Sequence, residues 1–149
     1  MSNFNDIEIL LAEDNQSDAE LTIRALKKFN VVNRLHWVRD GVEVLDFIRC
    51  TGEYAGRDPQ CDLKLILLDL KMPRLDGLDV LRALKADAET KHIPIVVMTS
   101  SNQHRDVAEC YRLGVNGYVT KPVQFVSFSE AVANIGMYWL MINEPPVRR

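Results

Sequence analysis

Short, almost wholly apolar runs alternate along the chain with longer stretches in which apolar positions recur every three or four residues. Residues 7–12 (IEILLA), 63–68 (LKLILL) and 93–98 (IPIVVM) each end at polar residues. Runs this short, bounded by turn residues, suit strands buried on both faces of a parallel sheet. Residues 115–119 predict another strand. Residues 34–38 (RLHWV) predict a weaker one, whose two-residue alternation puts Leu35 and Trp37 on one face. Helices are predicted from Ser17 to about Phe29, over 41–50, 76–85 and 106–113, and from about 125 to 142. Ser17 and Glu20 make the S-x-x-E box that starts the first. Residues 51–62, with glycines, charges and Pro59, read as an exposed loop. The alternation of strand and helix gives an α/β fold: a doubly wound parallel sheet with helices on both faces. Without repeats, and with Pro145-Pro146 stopping the last helix, residues 1–149 read as one domain with a short C-terminal extension.

The polar residues that end the strands change the picture from fold to chemistry. They are Glu13-Asp14, Asp69, Thr99 and Thr120-Lys121-Pro122. In a parallel sheet these ends share one edge, where open α/β proteins bind ligands. Carboxylates gathered there suit a hard cation such as Mg²⁺, and a lysine and a hydroxyl suit a phosphoryl group. Two carboxylates about 4 Å apart repel by about 4 kcal/mol at an effective dielectric of about 20, which a divalent cation removes. Asp14 and Asp69 are expected to bind the cation directly, Glu13 through water, with the Lys71 backbone carbonyl as a further ligand. Asp69 follows an apolar strand and precedes a turn at Pro73, so its carboxylate can attack a phosphoryl group. A cis Lys121–Pro122 bond would aim the ammonium into the pocket. The plainer roles are a Glu13-Asp14 cap on the turn into the helix at Ser17, a helix-cap or turn aspartate at Asp69, a polar loop and helix cap at Thr99, and a solvated charge at Lys121.

Composition narrows the class. The chain has 149 residues, 47% of them apolar, and a net charge of −3. No basic stripe for nucleic acid is present and no run approaches a membrane span. The first six residues lack the basic and apolar regions of a signal peptide. Cys50, Cys61 and Cys110 form no C-x-x-C pair and read as reduced thiols of a cytoplasmic protein. His36, His92 and His104 lack zinc-ligand spacing.

E-D at Glu13-Asp14, L-L-D-L-K-M-P over 67–73, D-G at Asp76-Gly77, T-S at Thr99-Ser100 and K-P at Lys121-Pro122 together resemble the receiver domain of two-component response regulators. The resemblance covers essentially the whole chain. It implies a flavodoxin-like sheet of five parallel strands, order 2-1-3-4-5, with five helices. It makes Asp69 the phosphoacceptor, Glu13 and Asp14 the acidic pair for Mg²⁺, Thr99 the switch hydroxyl, Lys121 the phosphoryl-binding lysine and Tyr118 the switch aromatic. Glu13 stands where the family's first acid is commonly Asp. The loop at 51–62 and the ending Tyr138-Trp139-Leu140 resemble stand-alone regulators that partner bacterial and cyanobacterial phytochrome kinases.

The reading is a phospho-aspartate switch that takes its phosphoryl group from a sensor histidine kinase and signals by protein contacts. Thr99 moving inward and Tyr118 swinging after it would carry the change. Phe125, Phe128, Val132, Ile135, Trp139 and Ile142 form a helical stripe, most of it expected to pack on the sheet. Ala131, Met137, Tyr138, Leu140 and Met141 add further apolar surface, pointing to a homodimer through the fifth helix. Kinase contacts are expected near Asn15, Gln16, Ala19, Val123 and Gln124, and tuning of phosphoryl lifetime at Lys71 and Ser101. The rivals are an aspartate-nucleophile phosphatase, a phosphorylation-independent binding module, a DNA-binding regulator and a nucleotide binder. A phosphatase of that kind needs D-x-D as nucleophile and acid/base, and here the second place is Lys71. No helix-turn-helix segment or phosphate-binding glycine motif occurs.

Overall fold

The computed structural model describes residues 4–59, 63–100, 103–121 and 125–144. The expectations for Cys61, Ser101, the Lys121–Pro122 bond, Val123, Gln124 and Pro145-Pro146, and for the Phe125 side chain, fall outside the described residues. Five strands form one parallel sheet in the order β2-β1-β3-β4-β5. They are β1 (Ile9–Ala12), β2 (Leu35–Val38), β3 (Leu65–Leu68), β4 (Ile95–Thr99) and β5 (Gly117–Thr120). The helices are α1 (Gln16–Leu26), α2 (Gly41–Arg49), α3 (Gly77–Ala86), α4 (His104–Leu113) and α5 (Phe125–Gly136).

Alternate strand residues feed two cores. Ile9, Leu11, Leu65, Leu67, Val96 and Met98 pack with Ala19, Leu26, Phe128 and Val132 of α1 and α5. Leu10, Ala12, Ile66, Leu68, Ile95 and Val97 pack with Val44, Phe47, Val80, Leu84 and Cys110 of α2, α3 and α4. This is why the central runs are apolar at every position: each residue faces a helical layer. Leu35 and Trp37 share the α1–α5 side, as their alternation predicts.

Element ends differ from the sequence reading for identifiable reasons. Strand β4 begins after Pro94, which has no N–H to give the ladder, although its carbonyl still accepts from Ile66 at 2.9 Å. Helix α1 is capped by Asn15 rather than Ser17: Asn15 Oδ1 accepts from the Asp18 N–H at 2.9 Å. It ends at Leu26 and tightens into a 3₁₀ turn, Lys27–Phe29, closed by Asn30 in the left-handed region at φ 56°. Helix α4 starts at His104, two residues early. Beyond Gly136 the last helix widens into a π-helical turn, Met137–Ile142. The segment expected as an exposed loop carries a 3₁₀ turn, Gly52–Tyr54, and buries Tyr54 and Arg57. The Tyr54 hydroxyl lies 2.8 Å from His36 Nε2 and donates to Glu43 Oε2 at 2.7 Å. The Arg57 guanidinium stacks 4.4 Å over the Phe47 ring and donates to its carbonyl at 3.1 Å.

Two close approaches bring helix starts to the functional edge. A Cβ on Gly77 would lie 2.4 Å from the Asp69 carbonyl oxygen, so only glycine lets α3 begin there. A Cβ on Gly41 would lie 2.0 Å from the Leu75 carbonyl oxygen, where α2 meets the turn after β3.

Candidate functional site

The register sets the site. Ala12 pairs with Leu68 and Thr99 with Thr120, so Glu13, Asp69 and Lys121 leave one edge of the sheet together. Backbone bonds fix these exits: Glu13 N–H donates to Val38 O at 3.0 Å, Asp69 N–H to Ala12 O at 3.0 Å and Lys121 N–H to Thr99 O at 2.7 Å. Glu13, Asp69 and Thr99 are buried although polar, while Asp14 is exposed.

Lys121 is no solvated charge. Its side chain is 9% exposed, and Nζ donates to Glu13 Oε1 at 2.5 Å, Asp18 Oδ2 at 2.8 Å and Asp69 Oδ2 at 3.2 Å. An ammonium has three N–H donors, and these three acceptors engage them all. Burial would depress the Lys121 ammonium, but hydrogen bonds to Asp18 and Glu13 and the charges of Asp69 and Glu13 outweigh it and hold it above its ordinary value. Burial pushes the Glu13 carboxyl up, to about 8, and Asp69 adds to the rise while Lys121 opposes it. One ammonium thus serves three carboxyl groups, those of Glu13, Asp18 and Asp69, and Asp14 lies beside Glu13 and Asp69.

Ligand oxygens of Glu13, Asp14 and Asp69 lie within 4.8 Å of one another. Three hard oxygen donors at that spacing fit a divalent cation that keeps several waters. The Lys71 N–H donates to Asp69 Oδ1 at 3.3 Å, so the backbone at Lys71 borders this oxygen set. Glu13 is held from two further sides: Oε2 accepts from the Asn15 N–H at 3.2 Å and its carbonyl from the Trp37 indole at 2.7 Å. Tyr118 is half-buried against the core on the α2–α4 side.

Every sequence-predicted site residue that is described reaches this edge or the strand leading to it. Two contributors were missed. The sequence reading gives Asp18 no role, but with Asn15 as the cap it stands in the first turn and its carboxylate meets Lys121. The sequence reading places Trp37 only on one face of a strand with Leu35, whereas its indole reaches the Glu13 carbonyl. A separate cavity of about 340 Å³ is lined by Asp40, Glu43, Asp46, Glu53, Tyr54 and Arg74. Three of its acids are already engaged: Asp40 caps α2, Glu43 holds Tyr54, and Asp46 Oδ1 accepts from Thr51.

Comparison with known proteins agrees with this geometry. The model of the response regulator receiver domain matches residues 9–133. The probable methanogenesis regulatory protein FilR2 of Methanothrix harundinacea is 38% identical over 93% of this chain and 86% of its own. Response regulator Rcp1 of Synechocystis is 38% identical over 89% of this chain and 88% of its own; a Mn²⁺-bound form of Rcp1 superposes with a TM-score of 0.86. The crystal structure of the phosphorylated cyanobacterial phytochrome response regulator RcpA has a TM-score of 0.86 and 38% identity, covering 93% of this chain and 96% of that one. The chain belongs to the response regulator receiver domain family.

Proposed function

We propose that Asp69 is the phosphoacceptor of this switch, and that residues 1–149 act as one receiver unit with a short extension after α5. The observation that carries it is the convergence of Glu13, Asp14, Asp69 and Lys121 on one sheet edge. An Asp69 carboxylate oxygen attacks the phosphorus of a kinase phosphohistidine. The P–O bond forms, the P–N bond breaks, and the imidazole nitrogen keeps the electron pair and takes a proton from water. Asp14, Asp69 and the Lys71 carbonyl would hold Mg²⁺ directly and Glu13 through water, and the ion would supply charge neutralisation to the phosphoryl oxygens. Lys121 donates to a phosphoryl oxygen, and Thr99 does so from β4. With Lys71 in the place of a second acid, the phosphotransfer chemistry acts on the protein itself and turns over no external substrate.

Charge-assisted contacts of this kind contribute roughly 1.5–3 kcal/mol each. Lys121 already holds Asp69 before phosphorylation, so only its change in contact biases the switch. Thr99 adds its own change in contact, with Tyr118 following it. The donor is a sensor histidine kinase of the cytoplasm. The likeness to RcpA supports a phytochrome kinase, and hence light, as the input. Met137, Tyr138, Met141 and Ile142 are 47, 48, 64 and 63% exposed, which supports a homodimer through α5 and its π-helical end.

Borohydride reduction of the phosphorylated protein tests the assignment. It converts an aspartyl phosphate to homoserine, and peptide mapping should place that homoserine at position 69. Homoserine at position 14, or at none, contradicts the assignment.

A further inference from the structure

Asp18 belongs to neither the acidic trio nor the lysine and hydroxyl that contact a phosphoryl group. It stands in the first turn of α1, with Asn15 Oδ1 accepting from its backbone N–H and its own carbonyl accepting from the Thr22 hydroxyl at 2.8 Å. Those two bonds fix its backbone. Its carboxylate then crosses to β5, where Oδ2 accepts from Lys121 Nζ at 2.8 Å, shorter than the 3.2 Å contact from Lys121 to Asp69. Its side chain is 32% exposed, against 4% for Glu13, so it forms the solvent side of the ammonium's cage.

We infer that Asp18 is a positioning residue for phosphorylation: with Glu13 it occupies two of the three Lys121 N–H donors, leaving the third aimed at Asp69. The inference rests on the reading of Asp69 as phosphoacceptor. When Asp69 becomes an acyl phosphate, its oxygen is a poorer acceptor than a free carboxylate, and the third N–H passes to a phosphoryl oxygen. Glu13 and Asp18 keep the ammonium in place while that exchange occurs. Without Asp18 a flexible four-carbon stem carries a donor that can turn to water, and the ammonium is no longer held over the reacting oxygen. Asp18 touches no reacting atom, so it acts only through Lys121.

A double-mutant cycle tests this. The full chain is incubated with Mg²⁺ and acetyl phosphate, and adduct formation is followed by intact mass for wild type, Asp18→Ala, Lys121→Ala and the double variant. Asp18→Ala should slow phosphorylation about tenfold, as expected for one charge-assisted contact. In the Lys121→Ala background the same substitution should have no effect. Exchange of the Lys121 ammonium protons with water, followed by NMR of the nitrogen-15-labelled protein, should speed up in Asp18→Ala. An undiminished rate in Asp18→Ala, or an equal slowing in both backgrounds, overturns the inference, as does unchanged ammonium exchange. Absence of any adduct in wild type would instead defeat the phosphoacceptor reading.

Discussion

The indole N–H of Trp37 donates to the backbone carbonyl of Glu13 at 2.7 Å, tying β2 to the residue that opens the acidic site. A fluorophore is thus bonded to the backbone of a proposed cation ligand. The chain has two tryptophans, so Trp139→Phe isolates this one. Titration with Mg²⁺ should change Trp37 emission to saturation. The change should be lost in Asp14→Asn/Asp69→Asn. Emission that ignores Mg²⁺ while calorimetry records its binding would place the cation away from Glu13. Trp37→Phe should also destabilise the fold by about 1 kcal/mol through the lost hydrogen bond alone.

Thr99 is fully buried, and its carbonyl accepts from Lys121 N–H. If its contact with the phosphoryl group couples the site to Tyr118, Thr99→Ala should still form the phosphoryl adduct. Its phosphorylation-dependent response should shrink on the order of 10- to 100-fold, the equivalent of roughly 1.5–3 kcal/mol. Kinase-dependent change in amide spectra of the α4–β5–α5 face measures that response. A full-size change in Thr99→Ala contradicts the assignment.

Most of the fold was legible because the determinants are local. Runs such as LILL and IVVM face a helical layer on each side, so no alternation was needed to find them. The acids at 13, 14 and 69 were legible because each directly follows such a run. Asp18 was not, because its role depends on a partner 103 positions away and on a cap that shifts the helix start to Gln16. The burial of Tyr54 and Arg57 was hidden for a similar reason. Their segment looks polar, yet its long side chains lie on Phe47, with Tyr54 closing on His36.

His36 predicts a pH dependence of stability. It is stacked on Phe47 at 5.2 Å, and burial lowers its pKa below the ordinary value of 6.5, with Glu43 opposing. The folded pKa is the lower one, so the unfolded chain binds more protons between the two values. His36 therefore contributes stability above about pH 6.5, and that contribution is lost as pH falls through the folded pKa. Urea unfolding at pH 7.5 and at pH 5 should show a smaller pH loss in His36→Gln than in wild type. Equal losses would mean that protonation of His36 is not resisted by the fold.

The exposed end of the last helix predicts assembly. Met141→Glu/Ile142→Glu should leave the thermal midpoint within about 2 °C, since surface substitutions change stability by about 0.5 kcal/mol or less. The same pair should move the sedimentation coefficient from dimer to monomer. A wild-type protein that stays monomeric at high concentration, with and without beryllofluoride, removes the homodimer.

The most direct test of the central claim is the intact mass of wild type and Asp69→Asn after incubation with Mg²⁺ and acetyl phosphate. The account predicts a single phosphoryl adduct on wild type. It should be absent in the variant and absent when Mg²⁺ is removed by chelation. An adduct of equal yield on Asp69→Asn, or none on wild type under any of these conditions, would contradict it.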